Sequence, residues 1–141
     1  SSGDVKGDSS GETFIAYCWA SKKGFSKFGQ YAGNGNADGT FVYTGFKPAW
    51  LMVKKINSGS DEWNMFDNVR DVDNVIQQRL VANVTAANAS GTYVDFLSSG
   101  FKFRTTNNLG NGSGNTYIYM CFAENPFVAN DSGTAVPVTA R

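Results

Sequence analysis

The residues best equipped for chemistry in this chain are its carboxylates, its aromatics and two asparagine-rich loops, because the sequence contains no histidine. That removes the commonest general base and metal ligand. With it go Ser/His/Asp and Cys/His nucleophilic arrangements and cysteine–histidine zinc sites. The densest acidic stretch is D-N-V-R-D-V-D, with Asp67, Asp71 and Asp73 around Arg70. Oxygen-rich loops can hold calcium, but this one lacks the glycine at the sixth position and the terminal glutamate of an EF-hand loop. The expectation is that Arg70 pairs with these carboxylates at a solvated corner, and that Asp61 and Glu62, in a turn, only solubilise. Two facing carboxylates can hydrolyse a glycosidic bond, yet nothing singles out a pair among the 12 acidic residues. Neither G-N-G-N-A-D-G nor G-N-G-S-G has the glycine and lysine spacing of a phosphate-cradling loop. No catalytic residue, cofactor or metal is therefore expected, and the chain reads as a non-enzyme.

Recognition is the chemistry that remains. Aromatic rings can act as stacking platforms, and Trp19, Trp50, Trp63, Tyr31 and Tyr43 are the candidates. Strand parity puts Trp19 and Trp50 in the core, leaving Trp63 and Tyr43, close to turns, for an exposed binding patch. Loops between strands commonly carry recognition. They add Asn34, Asn36 and Asp38 from one loop and Asn107, Asn108 and Asn111 from another. Twelve basic residues balance twelve acidic ones along the chain, so there is no electrostatic footprint for nucleic acid or an anionic membrane. No apolar run approaches the roughly 20 residues of a spanning helix, and the small polar opening S-S-G-D-V-K-G-D-S-S-G is not a signal peptide.

The elements that must position these residues are organised around a repeat. The stretch G-N-T-Y-I-Y-M-C-F-A-E, 114–124, has an earlier copy, G-E-T-F-I-A-Y-C-W-A-S, 11–21, aligned without a gap at an offset of 103 positions. A fixed-period echo outranks other sequence signals. Both copies are aromatic and β-branched, open at glycine, and read as strands. Being apolar at nearly every position, they are expected to be buried on both faces, as in a central strand under a second layer. Residues 11–21 are then either the last strand of a preceding module or the first strand of a single domain that uses one strand sequence at both ends. Cys18 and Cys121 fall on equivalent positions and are expected to be buried free thiols.

Between the copies, Phe25, Phe28 and Tyr31 read as anchors of an irregular segment, and N-G-N-A-D-G, 34–39, as a turn. Strands are expected at 40–44 and 46–56, with 50–53 as the buried centre of the latter. The turn at 57–62 leads to 63–67, making a hairpin in which Trp63, Met65 and Asp67 share one face. Residues 68–87 carry near-helical spacing of Val72, Val75, Ile76 and Leu80 but read as irregular. Strands at 92–97 and 101–105 form a second hairpin, Phe101 and Phe103 facing one way, Lys102 and Arg104 the other. The domain layout is a linker or arm over 1–10, a module over 11–127 and a tail over 128–141. At 141 residues and 41% hydrophobic composition, one domain can bury about two thirds of its unfolded surface. Short strands separated by Gly/Asn/Ser turns argue for an all-β fold, an antiparallel β-sandwich of jelly-roll or concanavalin-like character.

The residues F-K-P-A-W-L-M-V-K-K, W-N-M-F-D-N-V-R-D, D-F-L-S-S-G-F-K-F-R-T and G-N-T-Y-I-Y-M-C-F-A-E-N-P-F, in that order, resemble a family of bacteriophage tail-associated proteins widespread in marine viruses. Its members often carry this module in tandem or beside laminin-G-like, concanavalin-like domains. The resemblance covers about residues 11–127. It implies a virion structural protein, the C-terminal module of a tail fibre or appendage acting in assembly or host-surface binding, with no established enzyme activity. It places the protein in the phage particle, assembled in the host cytoplasm. The partners to expect are other virion proteins, a host-surface glycan or protein, and further copies of itself in a homo-oligomer. The family supplies no agreed binding residues. The competing readings are a capsid decoration or architectural protein and a non-viral carbohydrate-binding module.

Overall fold

Glycine, asparagine and serine punctuate the chain, and the aromatic and β-branched runs between them become strands. The computed structural model describes residues 15–57 and 61–126. Its strands are β1 (Ser26–Ala32), β2 (Phe41–Tyr43), β3 (Pro48–Lys55), β4 (Asn64–Asp67), β5 (Ile76–Val81), β6 (Ala89–Leu97), β7 (Gly100–Phe103) and β8 (Thr116–Ala123). They form one eight-stranded sheet in the order β1-β8-β3-β4-β5-β6-β7-β2, with every pairing antiparallel. The fold is thus all-β and antiparallel, and no helix occurs among the described residues.

The sheet curls until its two edges nearly meet. Tyr31 of β1 stacks on Tyr117 of β8 at 5.2 Å between centroids and reaches Phe103 of β7 at 6.0 Å. Gly39 N extends the β2–β7 ladder by donating to Phe103 O at 3.1 Å, and across the seam Thr40 Oγ1 donates to Ala32 O at 2.8 Å. Inside the curl Leu51, Val53, Phe66, Val94, Phe101, Phe103, Tyr117 and Cys121 are fully buried. Side chains alternate across each strand. Tyr117, Tyr119 and Cys121 therefore point inward, while Ile118, Met120 and Phe122 point outward.

Several expectations hold. The β3–β4 hairpin has Asn64 and Phe66 inward and Met65 and Asp67 outward. The β6–β7 hairpin buries Phe101 and Phe103 and leaves Lys102 on the other face. Residues 114–124 do supply a central strand, β8 lying between β1 and β3.

Others are corrected. Residues 15–20 of the earlier copy are not a strand and are exposed throughout, with Trp19 57% and Tyr17 74% exposed. The reason is topological: the slot this sequence fits, between β1 and β3, is filled by β8 of the same chain. Cys18 is accordingly an exposed thiol, and only Cys121 is buried. Trp50 is half-buried on the outer face, with Leu51 and Val53 taking the core positions. The segment around Phe28 is the regular edge strand β1, whose glycine and lysine content masks the alternation. Within 68–87 the near-helical spacing gives neither helix nor a wholly irregular segment, because β5 pairs with β4 and β6. Strand β6 starts at Ala89, three residues before the strand expected over 92–97. The arm over 1–10 and the tail over 128–141 lie outside the described residues.

Candidate functional site

The two asparagine-rich loops, far apart in sequence, meet at the end of the curled sheet. Asn111 is fully buried, and its Nδ2 donates to Asn34 Oδ1 at 2.9 Å, Asn36 O at 2.7 Å and Thr105 O at 3.0 Å. Its Oδ1 accepts from Asn34 N at 3.1 Å. Within the first loop Asn34 Oδ1 accepts from Asn36 N and Asn36 Oδ1 from Asp38 N, both at 2.9 Å, two successive side-chain turns of the kind asparagine favours. Asp38 carries Lys102 Nζ at 2.5 Å and Arg104 at 3.4 Å; the Lys102 hydrogen bond and charge hold its carboxyl below the ordinary range. The loops pack so closely that a Cβ on Gly33 would lie 2.4 Å from Gly112 O.

The second loop is tied to the core as well. Tyr31 Oη donates to Gly110 O at 2.6 Å. Tyr117 Oη accepts from Gly112 N at 2.8 Å and donates to Asn108 O at 2.9 Å. Asn107 Oδ1 accepts from Leu109 N, and Asn108 Oδ1 from Asn115 Nδ2. The Asn111 amide is met wholly from within the chain, and Asn34 and Asp38 are paired within it as well. Its chemistry is that of a latch holding two loops together.

A different surface is open to a partner. Ile118 and Met120 of β8 and Phe28 and Gln30 of β1 floor a groove of about 600 Å³, walled by Trp63 at one side and Trp19 at the other. Register explains the floor: Met120 lies opposite both Phe28 and Met52, and Ile118 opposite Gln30 and Lys54. Cross-strand partners share a face. Lys54 Nζ sits 5.3 Å above the Trp63 ring while donating to Asp61 O at 2.6 Å, which fixes that wall. The apolar strip continues through Phe122, whose ring meets Trp50 at 5.8 Å, Phe25 at 5.9 Å and Phe28 at 6.0 Å. Gln30 is the one amide side chain in the lining, so the groove is suited to apolar contact and offers little to a ring of sugar hydroxyls.

The predicted binding residues therefore part company. Asn34, Asn36, Asp38, Asn107, Asn108 and Asn111 come together in the latch. Tyr43 stands alone, 65% exposed on β2, beside Lys23, Lys27 and Gly45. Trp63 alone reaches the groove. Its partners Trp19, Phe28, Ile118 and Met120 were assigned to the core or left as anchors by the sequence. The signal that could have found them is the alternation of β8, in which both faces are apolar although a curled sheet has one inside.

The acidic stretch meets the expectation at Asp67, which pairs with Arg70, and departs from it at Asp71, which accepts from backbone amides instead. Arg70 pairs with Asp67 through Nε at 2.6 Å and Nη2 at 2.5 Å, and Asp71 Oδ2 accepts from Gln77 N and Gln78 N. Asp61 does more than solubilise, since it pairs with Lys55 Nζ at 2.7 Å, where the lysine side chain is only 8% exposed. Among the described residues no group of three or more Cys, Asp or Glu is gathered to hold a metal ion. No helix of the described residues is long and apolar enough to cross a membrane.

No curated protein and no solved structure matches the chain. One family model does, and it covers residues 2–126, taking in both copies of the repeated stretch as well as the whole sheet. The chain belongs to the family described as a domain of unknown function, DUF7483.

Proposed function

We propose that this protein is a structural module of a phage particle, part of a tail fibre or related appendage, working by assembly or by binding at the host surface and not by catalysis. The observation that carries the reading is an apolar surface built to meet another protein. Ile15, Tyr17 and Trp19 are 79%, 74% and 57% exposed, and Trp19 continues directly into the groove over β1 and β8. Contiguous exposed apolar surface of this kind marks an interaction site. The resemblance of its sequence motifs to phage tail-associated proteins supplies the setting. The apolar lining favours a protein partner over a glycan, and a repeating appendage would multiply weak contacts of this type through effective concentration.

The test is location. Antibodies raised against the chain are applied to purified particles of the source phage and viewed by immuno-electron microscopy, with peptide mass spectrometry of the same particles. Label at the tail is the expected result. Label spread over the head would replace the appendage role with capsid decoration, and absence of both label and peptides from particles would overturn the virion reading.

A further inference from the structure

We infer that residues 15–20 belong to the closing strand of a second copy of this fold, one placed upstream of the present sheet, where they enter between β1 and β3 as β8 does here. The inference names the partner of the assembly reading and rests on it only for the biological setting.

The argument starts from register. At the offset of 103 positions Thr13 matches Thr116, Ile15 matches Ile118, Cys18 matches Cys121 and Ala20 matches Ala123. In β8 these positions are decided by the sheet: Cys121 lies opposite Lys27 and Leu51 inside the curl, and Ile118 opposite Gln30 and Lys54 outside it. A sequence carrying the same residues in the same order offers the same two faces. Ala16 and Cys18 form the inward set, and Ile15, Tyr17 and Trp19 the outward set. In this copy residues 15–20 pair with no strand and expose every side chain.

The own sheet does not take them, because β8 already lies between β1 and β3 and fills that place better, with Tyr119 packed on Phe101 where the ribbon has only Ala16. The copy that needs them is one whose own chain ends before a β8. Spacing supports that arrangement. Only residues 21–25 separate the ribbon from β1, and they form a tight turn in which Lys22 N and Ser26 O bond at 3.0 Å. One copy's closing strand would thus hand over directly to the next copy's first strand.

One position departs from the pattern. Ala16 stands where β8 has Tyr119, whose ring packs on Phe101 at 5.3 Å and fills the space a Cβ on Gly29 would meet at 3.0 Å. The copy that receives the ribbon would carry bulk of its own at its Gly29 position.

The test joins two copies at the natural period, residues 1–113 followed directly by residues 11–141, and reads the thiols with Ellman's reagent. In the 141-residue protein Cys18 is exposed and Cys121 buried, so one thiol reacts at once and the other only on unfolding. In the tandem protein the joining Cys18 should react like Cys121, with protection of at least tenfold over the free amino-terminal Cys18. Because Ala16 leaves a hole against Gly29, the same tandem with Ala16→Tyr in the joining ribbon is measured alongside. A tandem joined through residues 114–123 in place of the ribbon gives the reference for a filled slot. Burial of the joining cysteine in either ribbon-joined protein supports the inference. If it reacts like the amino-terminal Cys18 in both, while the reference protein buries its own, the inference is overturned and the particle-labelling result is untouched.

Discussion

Asn111→Ala is the substitution that most directly tests the latch. From a fully buried position the side chain accepts one hydrogen bond and shares its two N–H groups among three acceptors, and each full bond is worth about 1 kcal/mol net. Asn34 is exposed enough to regain water once its partner is gone, whereas Thr105 O and the space under the loop are not, so the expected loss is about 2–4 kcal/mol. For a domain of this size that corresponds to a fall in Tm of roughly 10 °C. Urea unfolding followed by tryptophan fluorescence measures it as a lower midpoint at unchanged slope. Asn111→Asp should be worse at neutral pH, because a carboxylate replaces the donor facing three acceptors, and should recover part of the loss on acidification as the group protonates. Asn34→Ala, on the solvent side of the same network, should cost about 1 kcal/mol or less. A loss below about 1 kcal/mol for Asn111→Ala, or equal losses at the two positions, would refute the view that the buried amide holds the loops together.

Three further outcomes follow from the geometry. Burial raises the Asp67 carboxyl, but its hydrogen bonds and charge contact with Arg70 outweigh that and leave the folded pKa below the ordinary value. A depressed folded pKa gives stability that is present above the unfolded pKa, about 3.9, and is lost as pH falls through the folded one. Asp67→Asn should therefore cost up to about 1 kcal/mol at pH 7 and nothing at the acid end of a pH–stability curve. Gly100→Ala would put a Cβ 2.1 Å from Val42 O, forcing β2 off β7, and should destabilise by about 1–3 kcal/mol as an overpacked site does, read in the same urea assay. Asp61→Ala strands the buried Lys55 ammonium, whereas Lys55→Met removes the charge with its shape kept. The first should cost about 1–3 kcal/mol and the second should be near neutral, as compared by thermal unfolding.

Much of the strand content was legible in the residues themselves. Thr116 to Ala123 is a dense aromatic and β-branched run, and Pro48 to Lys55 and Asn64 to Asp67 are short apolar-centred stretches next to turn formers; these local signals act over a few residues. Strand β1 was hidden because S-K-F-G-Q-Y-A places lysine, glycine and glutamine on an edge, where one side of the strand needs no apolar cover. Strand β5 was hidden for a related reason. I-Q-Q-R-L-V has little apolar alternation, and what makes it a strand is hydrogen bonding to β4 and β6.

The candidate site divides along the same line. The sequence by itself determined an all-β chain, its principal hairpins and the repetition of the β8 sequence at residues 11–21, but not which face of β8 turns inward. It also supplied every residue of the asparagine cluster without saying that Asn111 would be buried beneath Asn34. Tertiary structure alone decided which copy of the repeated strand enters the sheet, because two similar sequences on one chain compete for one place and Tyr119 fills the interior against Phe101 where Ala16 would not. That single choice buries Cys121 and exposes Cys18, and it turns Trp19 from a core residue into the wall of a groove. Periodicity assigns a side chain to a face; only the closing of the sheet determines which face has water on it.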